Sequence, residues 1–219
     1  MDRFPDNAFR RQDESPDERF YRQPRFVTHI DGAAIAAVTQ LYREFFPPGG
    51  ALLDLMSSWV SHLPPEISYR RVVGLGLNRA ELLNNPRLDA FVVQNLNTAP
   101  RLPFGDGEFD GAGLAVSVDY LTDPVAVLRD LGRVLVPGAP VVITFSNRCF
   151  PSKAVAIWHS LSDRGRLELV GRYLQGAGNW EGTQLLDRSP NPGRSDPLYA
   201  VVAYAKPAEA GATGHTHPG

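Results

Sequence analysis

The sequence predicts an α/β fold: a doubly wound, mostly parallel sheet of seven strands with an antiparallel hairpin at one edge. Three observations predict it. Short apolar segments rich in Val and Leu alternate with helical ones, as in sheets covered by helices on both faces. The last two apolar segments follow each other with no helix between them, which suits a hairpin. The 219 residues, 43% hydrophobic and 21% charged, suffice for one domain with a full core.

The elements follow in order. Asp31 is placed to cap a helix over Gly32 to Phe45, and Pro47-Pro48-Gly49-Gly50 stops it. Ala51 to Leu55 reads as the first strand. Ser57 to Leu63 reads as a turn or short helix ended by Pro64-Pro65. Tyr69 to Leu75 is the second strand, Asn78 to Leu83 a short helix, and Phe91 to Leu96 the third strand. Gly111 to Val118 is the fourth. Asp123 precedes a helix from Pro124 to Leu135, with proline at the first helical position, where its missing N–H costs nothing. Val141 to Ser146 is the fifth strand. Ser152 to Ser160 and Leu167 to Gln175 are helices, and Thr183 to Asp187 and Leu198 to Ala203 complete the sheet. Residues 1–18 and 206–219 are polar, charged or rich in small residues, and read as disordered segments flanking a single domain over 19–205. His215 and His217 lie in that last segment and read as part of a solvated tail.

Composition excludes several function classes. Net charge is -2 and no basic stripe appears, so nucleic acid and anionic membranes are not expected partners. One cysteine, Cys149, rules out an internal disulfide framework and suits a cytoplasmic setting. The histidines lack metal-ligand spacing, so no metal is expected. Sequence says nothing of oligomeric state.

The most telling stretch is Leu102-Pro103-Phe104-Gly105-Asp106-Gly107-Glu108-Phe109-Asp110, followed by an apolar run and then Arg133-Val134-Leu135-Val136-Pro137-Gly138. It resembles the second half of a class I S-adenosylmethionine-dependent methyltransferase, where "LPF.D..FD" enters the fourth strand and "RVL.PGG" turns into the fifth. The resemblance spans roughly residues 50 to 205. It implies a Rossmann-type scaffold, S-adenosylmethionine as cofactor, and a small-molecule substrate. The alternative is a non-catalytic domain of the same build that binds another ligand or a partner protein.

Ligands of such sheets sit at the carboxyl ends of the strands, so four corners matter. The first reads Leu53-Asp54-Leu55-Met56-Ser57-Ser58-Trp59-Val60, where the family carries "LDLGCGTG". Asp54 aligns with the family's acidic residue, but Met56, Ser58 and Val60 stand at glycine places, where close approach and positive φ favour glycine. Ser57 and Ser58 remain small hydrogen-bond donors for a cofactor. Trp59, Val60 and Leu63 either shape this corner or pack under the first long helix. At the second corner, Asn78 stands where the family has a ribose-binding acid; the other reading is a helix N-cap. Gly74 and Gly76 form no dinucleotide fingerprint. At the third, Asn95 and Leu96 match the family's adenine-binding pair by type. At the fourth, Ser117 falls beside the cofactor, and Asp119 and Tyr120 fall beside the reacting groups. Asp119 would accept a proton there and Tyr120 would position it; alternatively Asp119 caps a turn and Tyr120 packs in the core. After the fifth strand, Arg148 could clamp a substrate anion or pair with a nearby acid such as Asp119. The aromatic segment Phe20 to Phe26, with Tyr21 and Arg25, is either a lid that contacts substrate or an arm covering the sheet edge.

Overall fold

The computed structural model describes residues 4–207. The strands are β1 Ala51–Leu55, β2 Arg71–Gly76, β3 Ala90–Val93, β4 Gly111–Ala115, β5 Pro140–Phe145, β6 Trp180–Asp187 and β7 Tyr199–Ala205. They form one seven-stranded sheet in the order β3-β2-β1-β4-β5-β7-β6. Pairings from β3 through β5 are parallel, and β7 runs antiparallel to both β5 and β6. Strand order therefore reverses between β1 and β4, which opens a crevice at their carboxyl ends. This is the doubly wound, mostly parallel sheet with an edge hairpin that the alternation of segments predicts.

The helices are α1 Asp17–Phe20, α2 Gly32–Phe45, α3 Arg79–Leu83, α4 Pro124–Val134, α5 Ala156–His159 and α6 Asp163–Ala177. Successive residues of a strand point to opposite faces. Leu52, Val72 and Val142 accordingly pack with Val38, Leu41 and Tyr42 of α2 on one face. Leu53, Val73 and Ile143 pack with Leu128 and Leu131 of α4 and Val170 and Leu174 of α6 on the other. Asp31 caps α2 through Ala34 N–H at 2.9 Å, and Asp123 caps α4 through Ala126 N–H at 3.0 Å. The helix α6 is longer than its apolar pattern predicts. Ser162 caps its start through Gly165 N–H, and Gly178 ends it at φ 86°.

Besides β3, which ends at Val93, and the helix expected from Ser152, which begins at Ala156, three local expectations change. Residues 57–63 form no helix but an irregular crossing over the sheet end. β4 stops at Ala115, and a 3₁₀ turn over Val118–Tyr120 follows it. The third correction concerns the amino-terminal segment: residues 4–18 are packed, not disordered. Phe4 and Phe9 meet Tyr173 at ring separations of 5.6 and 5.9 Å. Ala8 and Arg10 carbonyls accept from Ile157 and Ala156 N–H. Lys153, fully buried, donates to the Ser15 carbonyl at 2.6 Å and lies 3.3 Å from both Asp13 and Asp17. The charges that made this segment look solvated are the ones that tie it down. Of the expected tail over 206–219, only Lys206 and Pro207 fall within the described residues; Lys206 N–H bonds the Asn179 carbonyl.

Candidate functional site

A cavity of about 460 Å³ lies at the carboxyl ends of β1 to β5. That is within the size range of small-ligand sites. Of the residues that sequence reasoning singled out, Tyr21, Asp54, Ser57, Ser58, Asn78, Asn95, Leu96, Ser117, Tyr120 and Arg148 all line it.

The floor is the β1 corner. Met56 adopts φ 56°, so the chain turns left-handed where the family resemblance calls for its first glycine. The cost of that conformation in a residue with a Cβ is of order 1 kcal/mol or more. Met56 itself is partly buried against the core, and Trp59 Nε1–H donates to the Val27 carbonyl at 3.0 Å. Both residues line the hollow, which remains a cavity of ligand size. The close approach that a glycine-rich loop would provide is supplied instead by β2: Ser57 N–H bonds the Leu75 carbonyl at 2.8 Å, and a Cβ on Gly76 would collide with the Ser57 carbonyl oxygen. The described residues contain two more non-glycine positions at positive φ, His62 at 52° and Val116 at 43°, and both line the same cavity. Such strain persists only where surrounding packing enforces it.

Asp54 is buried, and its Oδ2 accepts from Ser57 Oγ at 2.5 Å and Ser61 Oγ at 2.6 Å. Burial pushes its carboxyl up to about 6, against the pull of the two hydroxyls, and no basic group offsets it. Ser58 Oγ donates to Glu81 Oε2 at 2.7 Å, and Glu81 Oε1 accepts from Arg25 N–H at 2.7 Å. Asn78 caps α3, accepting from Ala80 and Glu81 N–H, while its Nδ2 donates to the Tyr21 carbonyl at 2.8 Å. Both ends of its amide are thereby engaged within the protein, as the N-cap reading expects, and the residue also lines the cavity. Asn95 Nδ2 donates to Glu18 Oε1 at 2.7 Å and its Oδ1 accepts from Asn97 N–H at 3.0 Å. Leu96 is buried in the wall, and the Ser117 hydroxyl is buried with no partner.

Asp119 corrects an expectation: it does not line the cavity. The 3₁₀ turn moves successive side chains about a third of a circle apart, so Tyr120 faces the cavity while Asp119 faces the interior, where its carbonyl accepts from Val155 N–H. Its Oδ2 is buried without a partner, and burial pushes the carboxyl up to about 7. Tyr120 is held by Phe150 N–H, which donates to its hydroxyl at 2.8 Å, and burial raises that phenol well above its ordinary range. Arg148 pairs with Asp196 at 2.8 Å rather than with Asp119, and its side chain is 63% exposed.

The arm over residues 17–29 crosses the cavity, with Tyr21, Arg25 and His29 on its wall. Sequence reasoning missed three groups here. Glu81 was signalled by the Asn78-x-x-Glu81 spacing of a helix start. His29 and His62 carried no local signal; tertiary structure alone brings them to one cavity. Burial lowers both imidazoles, His62 to about 4 with His29 adding repulsion.

No family model matches this chain, and no curated protein matches it in sequence. Among solved structures it is similar to the cyclase SpnF, with a TM-score of 0.58 at 16% identity over 78% of this chain and 81% of that one. It is similar to a SAM-dependent methyltransferase from Aquifex aeolicus, with a TM-score of 0.55 at 15% identity over 86% and 97%. A third likeness is to phosphoethanolamine N-methyltransferase 2 of Haemonchus contortus in complex with S-adenosyl-L-methionine, with a TM-score of 0.57 at 14% identity over 78% of this chain and 52% of that one. These likenesses establish the scaffold as that of class I methyltransferases.

Proposed function

We propose that this chain, built on the class I methyltransferase scaffold, transfers a methyl group from S-adenosylmethionine to a small molecule. The observation that carries the reading is Asp54. A buried carboxylate facing a ligand-sized cavity, with hydroxyls but no cation beside it, is costly unless a ligand supplies the positive charge. The α-ammonium of S-adenosylmethionine is such a charge.

The residues present fit that ligand. The cavity volume accommodates it, and the left-handed turn at Met56 preserves the approach path. Leu96 offers an apolar wall for adenine, and Glu81, beside Asn78, offers a carboxylate that can exchange its bond from Ser58 Oγ for a ribose hydroxyl. The unpartnered Ser117 hydroxyl is a donor without an acceptor inside the protein. When bound, the cofactor supplies an electrophilic methyl group. The chain's part is to hold the acceptor in line and exclude water, the arm roofing the cavity and Tyr120 bordering it. His62 lines the cavity where Asp119 does not, but burial lowers its imidazole to about 4 and makes it a weak base, so transfer rests on holding the acceptor in line rather than on proton abstraction.

Incubation with methyl-labelled S-adenosylmethionine and a panel of small hydroxyl- and amino-bearing acceptors tests this. Label in an acceptor, lost in Asp54→Asn, is the expected result. Tight cofactor binding with no transfer to any acceptor class would favour the non-catalytic alternative.

A further inference from the structure

The side of the cavity formed by the arm carries a guanidinium, that of Arg25, with no ion-pair partner among the described residues. Arg25 lies on the arm with its guanidinium carbon 4.7 Å from the Phe20 ring centre, 5.1 Å from that of Phe150 and 5.6 Å from that of Tyr21. Its Nη2 donates to the Phe20 carbonyl at 3.0 Å, and its Nη1 is buried with no partner. Glu81 bonds only its backbone N–H. Aromatic faces stabilise a guanidinium but do not neutralise it. His29 sits against the same Phe150 ring, 5.3 Å between centroids and 76° between planes. Arg25 and His29 thus converge on one phenyl group, and Arg25 disfavours the imidazolium that Glu81 favours. Arg148, the cation that sequence reasoning offered as a clamp, is already paired with Asp196.

We propose that Arg25 and His29, mounted on Phe150, form the binding site for the carboxylate of the acceptor substrate, and that the acceptor is a small planar organic acid. A carboxylate suits the planar two-pronged guanidinium. A flat body suits a cavity walled by Tyr21, Trp59, Tyr120 and Phe150. The proposal rests on the methyl-transfer reading for its meaning, but not for its test.

Benzoate is the probe, titrated by calorimetry into the full chain with and without saturating S-adenosylhomocysteine, while NMR follows the His29 ring. Benzoate is expected to bind at millimolar concentration or below and to raise the His29 pKa, because a nearby anion stabilises imidazolium. Arg25→Gln should weaken benzoate about tenfold or more, with S-adenosylhomocysteine affinity changed less than about twofold; Arg25→Lys should lie between. Benzyl alcohol, with the same ring and no charge, should bind at least about tenfold more weakly. The proposal is overturned if benzyl alcohol matches benzoate, if His29 does not respond, if Arg25→Gln leaves benzoate affinity unchanged, or if inorganic phosphate binds and benzoate does not. Failure of S-adenosylhomocysteine to bind counts against methyl transfer alone, since the benzoate titration is read without it.

Discussion

The Ser57 carbonyl oxygen lies against Gly76 so closely that the strand residue cannot carry a side chain. The requirement for glycine has moved from the loop after β1 to the neighbouring strand. Gly76→Ala is therefore expected to cost about 2 kcal/mol or more in urea unfolding, because the obstacle is backbone. Gly74→Ala meets the tip of Leu88, which can rotate, and should cost less. Equal losses at the two positions would contradict this account of the corner.

Asp54 gives a pH signature. Its carboxyl sits at about 6 in the folded chain, against an ordinary 3.8. The native state therefore holds the proton more tightly than the unfolded one. Stability from this group is full below pH 3.8 and is lost as pH rises to about 6. Asp54→Asn should remove that slope and stabilise the ligand-free protein at pH 8 by up to about 3 kcal/mol. Denaturation midpoints from pH 4 to 8 check this; a variant less stable at pH 8 would contradict it.

Asp119 should behave alike in stability and differently in binding. Its carboxyl is pushed up to about 7 by burial, so stability is lost between pH 3.8 and about 7 as it ionises. Asp119→Asn is expected to stabilise the protein at pH 8 by a few kcal/mol at most. S-adenosylhomocysteine affinity should be unchanged, since Asp119 does not face the cavity. Loss of binding in this variant would return Asp119 to the site.

What was legible in the sequence was local. The period of α2 and the caps Asp31 and Asp123 are written within a few residues of where they act, and the alternation of segments reaches the sheet. Within the corners, backbone turns decide what the sequence does not. Tyr120 faces the cavity and Asp119 does not, a one-residue distinction inside a 3₁₀ turn. Arg25 and His29 lie far from His62 in sequence and share a cavity with it only because the arm folds over the sheet end. Residues 4–18, before that arm, read as solvated because their partner, Lys153, lies well over a hundred residues away.

Lys153 is the anchor of the segment that leads into the arm, through Asp13, Ser15 and Asp17. Lys153→Met leaves the Ser15 carbonyl and the Asp17 carboxylate with one partner fewer in a buried setting. A loss of about 3 kcal/mol is expected. Limited proteolysis should then cut within residues 4–25 faster than in the parent. Unchanged protection would show that the aromatic contacts of Phe4 and Phe9 hold the segment without Lys153.

Methyl transfer depends first on whether the cavity beside Asp54 takes an adenosyl amino acid. Calorimetric titration of the full chain with S-adenosylhomocysteine, at pH 5 and pH 7.5, measures this directly. The expected result is one site, tighter at pH 7.5 because the Asp54 carboxylate must be ionised to hold an ammonium group, and weakened in Asp54→Asn. Absence of binding heat at millimolar ligand, or an affinity indifferent to both pH and Asp54→Asn, would contradict the account.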